Sequence, residues 1–560
     1  MKLQAYTLSL LAFIFLSVGG MAQAPDIVWQ KTLGGSASDR ATSVLMMDDG
    51  NYLVCGISQS TNGDMQNDAS LTSKGGYDFW VFKVSTAGNI IWRKVFGGSG
   101  NEFAPVCVAL GNNKYVVAGT THSQNDNDVT GSFGCFGSCN DCDDVWALCI
   151  DDAGTILWKN TYGTNDFEQL RDVTVTRNKN IALLFYGYTI NCTPQAPPSA
   201  ADATGLILID TNGIQPGPMI VVYGDDVNSA DQPSAICQNK LTTDLTFAGA
   251  TVTGLSDLAV TKGGFDFWIL SLTETGTSAR WQKNYGGSGT DAATSIAATF
   301  DGGYIVTGMT QSDDGDVIGN HSAALGDIWV LKLSSNGALQ WSKCYGGSQM
   351  DCGLRILQQP DSSYLLLGVT ASDDGDITGN HSTQNRRDYW LAVLSDTGSI
   401  VWSKTLGGSD EESFYAANNS IDPSFFEELY SPRTGLLVDE SGDIVMAGAT
   451  NSSDGDVTNQ HGSDDYWLVK MSKNATGISD DVNEARSFSL YPNPATETIT
   501  IYSSEATLET FTVTDVLGRI VLPPVKVING QASMDIKGLA IGTYSVHGDH
   551  ASDFRRFIKE

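Results

Sequence analysis

Apolar and polar positions alternate along this chain in short stretches of about seven residues, each bounded by Gly, Asn, Asp or Ser. The stretches return in the same order roughly every sixty residues. One copy shows the pattern. An alternating run covers 292–299, and Gly303-Tyr-Ile-Val-Thr-Gly308 follows. Then come Asp327-Ile-Trp-Val-Leu-Lys-Leu333 and Leu339-Gln-Trp-Ser-Lys343, with Asn336-Gly337 between them as a hairpin turn. The spacing predicts four antiparallel strands per copy.

The fourth-strand segment Trp281-Gln-Lys-Asn-Tyr-Gly-Gly-Ser288 recurs from Trp341 and from Trp402. Earlier copies start at Trp29, Trp92 and Trp158, and a degenerate one surrounds Tyr223, which makes seven. The third-strand signal also occurs seven times, at Trp80, Trp146, a degenerate copy near Leu206, Trp268, Trp329, Trp390 and Trp467. The array opens with a lone fourth strand at 27–33 and closes with a third strand at 465–471 that lacks its fourth. The first strand can therefore complete the last unit and remove both exposed edges. An open solenoid would want polar caps instead. The expected fold is all-β: a seven-bladed β-propeller of four-stranded blades over 23–472, its N-terminal strand closing the last blade.

Beyond a polar linker at 473–487, alternating strands separated by turns predict a small Ig-like β-sandwich over 488–560. Its markers are Tyr491-Pro492-Asn493-Pro494, the Asp-x-x-Gly-Arg turn containing Gly518, and the Gly542-Thr-Tyr544 strand. In that order they resemble the type A C-terminal sorting domain of the type IX secretion system. The resemblance implies the type IX machinery as partner, passage across the outer membrane, and release or surface attachment. The propeller unit, with Asp301-Gly-Gly-Tyr and Asp313-Asp-Gly-Asp, resembles long repeats of Bacteroidetes surface proteins. Its Trp hairpins also resemble those of quinoprotein-type propellers, although the adjacent-cysteine pair of many such enzymes is missing.

Residues 1–22 read as a signal peptide: Lys2 precedes an apolar run from Leu8 to Val18, with cleavage after Ala22 preferred over Ala24. That run is short for a membrane span and no other exists, so an exported chain with no transmembrane segment is expected once it is removed. Charge narrows the partners. With 64 acidic against 32 basic residues, the net charge of −32 provides no surface for nucleic acid.

Candidate chemistry falls on the loops of one propeller face. An acidic residue stands at a fixed offset after each Gly-Gly-Ser: Asp39, Glu102, Glu168, Asp291, Asp351 and Glu412, with Ser229 in the degenerate copy. These predict either a ring of channel-mouth carboxylates or, preferably, side chains that accept backbone N–H bonds in their own turns. Asp313, Asp314 and Asp316, Asp373, Asp374 and Asp376, and Asp454 and Asp456 cluster around glycine turns. Such oxygens suit calcium, the one cofactor suggested, or plain Asx turns; no Glu closes an EF-hand pattern. His321, His381 and His461 lie in separate units, so bonding within each loop is expected rather than one zinc site.

Ten cysteines suit an oxidising compartment. Cys135, Cys139, Cys142 and Cys192 predict two loop disulfides or a four-thiolate zinc site, and Cys344 is paired with Cys352. Cys55, Cys107, Cys149 and Cys237 fall on strands, where core positions are expected. An insertion at 413–432 interrupts the last unit and carries Phe425, Phe426 and Tyr430, the candidate contacts for a glycan or protein ligand. Two functions follow: a secreted or cell-surface binding, adhesion or structural module, or a secreted glycan hydrolase or lyase that uses the channel-mouth carboxylates.

Overall fold

A computed structural model describes residues 24–65, 73–133, 143–164, 167–188, 202–223, 231–252, 262–382, 386–412, 434–473, 488–491, 495–503, 509–514, 519–527, 531–547 and 554–559. The chain forms two compact units, Met1–Ala475 and Thr476–Glu560. Apart from one short 3-10 turn, Gly63–Met65, the described elements are all strands.

The first unit contains seven four-stranded antiparallel sheets. In the sheet of Asp291–Ala298, Tyr304–Thr310, Asp327–Leu333 and Leu339–Tyr345, the strands pair in chain order, each with the next. Register aligns Asp291 with Thr310 and Thr310 with Asp327. The same order holds over 39–96, 102–162, 167–223, 232–285 and 351–406. In the last sheet Gly435–Val438, Ile444–Thr450 and Asp465–Met471 are joined by Ile27–Leu33, which pairs with Asp465–Met471. This is the predicted offset: Thr32 stands opposite Trp467 across some 430 residues of sequence, a pairing that only a long-range fold supplies.

In the sheet over 291–345 the second and third strands are buried along their whole length. Strands of this kind supply a core that passes from sheet to sheet. Leu367, Tyr389 and Leu406 pack with Met446, Trp467 and Val469 of the last sheet, which in turn offers Val445, Tyr466 and Leu468 to Val44, Tyr52 and Trp80 of the first. Third-strand Trp80, Trp146, Trp268, Trp329, Trp390 and Trp467 are fully buried, and each pairs with a second-strand glycine. Gly308 shows why. A Cβ there would collide with the Ala292 carbonyl oxygen and lie 2.7 Å from Ala293 Cα. The first strand also carries a bulge, between Ala293 and Ser295 in this sheet. The bulge turns Thr294 so that its Oγ1 donates to Gly353 O of the next sheet at 2.6 Å.

The repeated fourth-strand Trp ties the outer strands together. Nε1 of Trp29, Trp92, Trp158, Trp281 and Trp341 donates to carbonyls of Thr86, Asp152, Thr211, Ser335 and Asp396 in the next hairpin, at 2.9–3.1 Å. The Trp side chains that resemble a quinoprotein signature are thus fastened to neighbouring turns.

The second unit has a three-stranded sheet of Phe488–Tyr491, Thr498–Ser503 and Gln531–Asp535. A four-stranded sheet of Ile520–Val527, Glu509–Thr514, Gly542–His547 and Phe554–Lys559 accompanies it. Ile499, Ile501, Phe511, Val513, Met534 and Val546 form their shared core, which makes a β-sandwich.

Candidate functional site

The acids after Gly-Gly-Ser open the first strands. Asp39, Glu102, Asp291, Asp351 and Glu412 are wholly buried, and Glu168 is 3% exposed. They do not line a channel mouth, so the ring of accessible carboxylates expected as one reading is corrected. Glu102 explains the burial: Gly98 N donates to Oε2 at 3.0 Å, while Thr121 Oγ1 and Ser123 Oγ donate to Oε1 at 2.7 and 2.5 Å. Asp291 accepts Gly287 N at 2.8 Å, Ser312 Oγ at 2.8 Å and Thr310 Oγ1. Asp351 accepts Gly347 N and Ser372 Oγ, and Glu412 accepts Gly408 N and Thr450 Oγ1. Each acid therefore satisfies the donors of its own glycine turn. Removal from water still dominates. Burial pushes Glu102 and Asp351 up to about 7 and Glu412 up to about 8, and raises Asp39 and Asp291 above the ordinary carboxylate range.

Register also identifies a residue that sequence spacing missed. Thr251 pairs with Asp266 as Thr310 pairs with Asp327, and Gln232 stands opposite Ala250. The position equivalent to Asp291 is therefore Asp231, 3% exposed, rather than Ser229. Counting from the strand pattern Gln232–Gln238 instead of the degenerate glycine turn would have found it.

Facing six of these acids are aspartates that begin the third strands: Asp78, Asp144, Asp266, Asp327, Asp388 and Asp465, none more than 2% exposed. The first glycine of each Gly-Gly turn, or its equivalent Gly163, lies between the two carboxyls, one from each neighbouring sheet. A Cβ on Gly163 would be 2.7 Å from both Asp144 Oδ1 and Glu168 Oε2. On Gly346 it would be 2.6 Å from Asp351 Oδ2 and 2.8 Å from Asp327 Oδ1; on Gly407, 2.5 Å from Glu412 Oε2 and 2.6 Å from Asp388 Oδ1. Only glycine lets the paired carboxyls face one another. Beside them runs a backbone bond between sheets, such as Glu102 N to Tyr77 O at 2.7 Å and Glu412 N to Arg387 O at 2.8 Å.

The Asp-Gly-Asp loops complete these turns. Asp314, Asp374 and Asp454 Oδ1 accept N–H bonds from Ser288, Ser348 and Ser409 at 2.6–2.7 Å. Asp316 and Asp456 Oδ2 accept from Gly286 and Gly407, and Asp376 N donates to Gly346 O. Asp373 Oδ1 accepts Gly379 N at 2.8 Å, while Asp313 is exposed. Among the described residues, no group of three or more His, Cys, Asp and Glu side chains is arranged to hold a metal. Through these bonds Asp314, Asp316, Asp373, Asp374, Asp454 and Asp456 act as turn acceptors. His321, His381 and His461 remain in their separate loops, with Nδ1 2.7, 2.6 and 3.1 Å from Oδ2 of Asp327, Asp388 and Asp465.

Cys344 and Cys352 are free thiols, against the expected pair. Cys344 is the last residue but one of a fourth strand, within the core around Trp329, whereas Cys352 is the second residue of the next first strand and packs in the core around Tyr389. Cys55, Cys107, Cys149 and Cys237 are also free, with Cys237 half-buried and the others buried. Cys135, Cys139, Cys142 and Cys192, and the contacts Phe425, Phe426 and Tyr430, lie outside the described residues, as does the 1–22 segment. Tyr491 ends a strand, and Pro492, Asn493, Pro494 and Gly518 lie outside the description. Gly542 and Tyr544 share a strand, and Tyr544 Oη donates to Ala540 O at 2.9 Å.

Comparison with known proteins agrees with the second unit. Residues 489–560 match the secretion system C-terminal sorting domain family. They are a type IX sorting domain, which makes secretion or display at the cell surface the fate of the chain. No curated protein matches it. Similar solved structures include a protein of unknown function from Dyadobacter fermentans, 10% identical, covering 80% of this chain and 98% of its own, with a TM-score of 0.40. Another is a fungal alcohol oxidase of the AA5 family in complex with copper, 12% identical over 96% of this chain and 99% of its own, TM-score 0.42. A third is the Penicillium chrysogenum alpha-L-arabinanase complexed with arabinobiose, 12% identical over 66% and 99%, TM-score 0.36. No helix among the described residues is long and apolar enough to cross a membrane.

Proposed function

We propose that this chain, which carries a type IX sorting domain, is an exported, non-enzymatic binding or structural module built on a closed seven-bladed propeller. The signal peptide at 1–22 directs its export and is then removed. The observation that supports a scaffold role is the commitment of the repeated polar residues. The first-strand acids bind their own turns, the loop aspartates bind the neighbouring turn, and the fourth-strand Trp side chains bind the next hairpin. Carboxylates held in this way do not present the accessible acid–base pair that a glycan hydrolase or lyase would use. Specificity then belongs to sequence that does not repeat, and the insertion at 413–432, with Phe425, Phe426 and Tyr430, is the proposed glycan or protein contact.

The test compares the mature chain with a variant carrying Phe425→Ala, Phe426→Ala and Tyr430→Ala on a glycan array and in pull-downs with defined surface proteins. The expected result is ligand capture by the wild type and at least tenfold weaker capture by the variant, with the melting temperature unchanged. Release of reducing ends from arrayed glycans, abolished by Glu102→Gln, would replace this reading with the hydrolase.

A further inference from the structure

The six facing carboxyl pairs pose a problem of charge. Both members are buried, and the Cβ position of the glycine beside them lies within 3 Å of an oxygen from each carboxyl. Two ionised carboxylates so placed repel one another strongly in a medium poorer than water at screening charge. The hydrogen-bond pattern shows how the conflict is resolved. At the junction of Asp78 and Glu102, both Glu102 oxygens already accept donors, from Gly98, Thr121 and Ser123. Asp78 Oδ2 accepts Lys74 N at 2.7 Å, but its Oδ1, aimed at Glu102 across Gly97, receives nothing from an N–H or hydroxyl. The same oxygen is unpartnered and buried in Asp144, Asp266, Asp327, Asp388 and Asp465. One unpartnered buried oxygen, repeated at six equivalent places, calls for a positive charge between the pair.

The donor set decides which charge. A hard cation such as calcium needs six to eight oxygens, whereas these points offer two carboxyl oxygens, one of them already occupied by donors. A proton needs only the two. We propose that each of the six junctions holds one proton, carried on the third-strand aspartate and donated to the first-strand acid, so that mild acid fastens neighbouring sheets and mild base loosens them. When the proton leaves for solvent, the junction is left with two buried anions and no hydrogen bond between them.

Other charged groups tune each pair. Lys74, Asp126 and Asp128 surround Asp78 and Glu102, and Asp143, paired with His122, stands beside Asp144 and Glu168. Lys262 and Asp316 face Asp266 and Asp291; His321 and Asp376 face Asp327 and Asp351. His381, Asp456 and the Arg387–Glu411 ion pair adjoin Asp388 and Glu412, while His461, Asp64 and the Arg40–Asp464 ion pair adjoin Asp465 and Asp39. The net direction is upward at every pair. Burial sets it, and its reach is from about 6 at Asp144 and Asp465 to about 8 at Glu412. In the unfolded chain the same groups titrate near 4. Between those limits the folded chain binds more protons than the unfolded one, so stability is fullest below about pH 4 for this set and falls as pH rises through 6 to 8.

Two measurements on the mature chain test this. Chemical unfolding from pH 5.5 to 8.5 should show the midpoint falling steadily, and calorimetry in two buffers of different ionisation enthalpy at pH 6.5 should show net proton release on unfolding. Asp78→Asn puts an N–H donor where the proton sits, so it should fold, keep its midpoint at pH 8.5 or raise it, and release about one proton fewer. Glu102→Gln puts an amide NH2 where Oε2 accepts Gly98 N and the shared proton, so it should lower the midpoint at pH 5.5. If Asp78→Asn does not fold, Asp266→Asn serves at another junction, and the wild-type proton count decides alone if both fail. A midpoint that rises or stays level with pH overturns the proposal, as does an unchanged proton count in the Asn variant. A chelator-sensitive gain in midpoint on adding calcium at pH 8.5, lost in Asp78→Asn, also overturns it and places a cation between the carboxyls.

Discussion

Glycine 308 shows how tightly single positions are specified. It stands opposite Trp329 in the register, and its missing side chain lets the first strand pass close beneath it. Gly308→Ala must move the Ala292–Ala293 backbone, and the expected cost is about 3 kcal/mol, read as a shifted denaturant midpoint with an unchanged slope. A cost below about 0.5 kcal/mol would mean that the first strand yields easily. The same logic explains what could be read from the sequence at this scale. Residue types whose partners are near in sequence were legible, such as the acids five residues into each Gly-Gly turn. Their burial and their facing aspartates were not, because Asp78 and Glu102 belong to different sheets and no local period links them. Asp231 escaped for a related reason: the glycine turn used as the ruler has degenerated there, while the strand register has not.

Strand by strand, the sequence was far more informative. Alternation and the Asn336-Gly337 hairpin located the four strands of the unit at 291–345, and the lone strand at 27–33 announced its partner at 465–471. The cysteine pairing failed because spacing in sequence says nothing about which face of a strand a thiol occupies: Cys344 and Cys352 point into separate cores. The pairing of Ile27–Leu33 with Asp465–Met471 carries a direct expectation. Gln30 bonds Trp467 Nε1 at 2.8 Å, and Thr32 Oγ1 donates to Thr458 O at 2.6 Å, so the strand contributes specific bonds as well as edge cover. A chain beginning at Gly34 should expose the whole edge of Asp465–Met471 and aggregate or melt at much lower temperature. A synthetic peptide of residues 25–35, added in excess, should restore part of the loss by mass action. If the shortened chain is monomeric and melts like the wild type, that strand is an ornament of the last sheet and the ring does not depend on it.

Across the whole molecule, two populations of acid have to be separated. The formal net charge of −32 counts all 64 acids as ionised, while twelve carboxyls sit in six buried pairs. Salt distinguishes them. Added monovalent salt screens exposed charges within about 10 Å at 0.1 M but scarcely reaches buried ones. Raising sodium chloride from 20 to 200 mM should therefore lift the melting temperature at pH 7.5 by relieving surface repulsion. It should leave the fall of stability between pH 5.5 and 8.5 almost as steep as before, because that slope counts protons bound at the junctions. Should salt flatten the slope and raise the melting temperature together, the pH response would belong to the acidic surface, and the buried pairs would have to ionise without consequence for the sheets they join. Independence of the two effects instead describes a protein whose surface charge keeps it dispersed outside the cell while its blades are held by protons taken from that same surrounding solution.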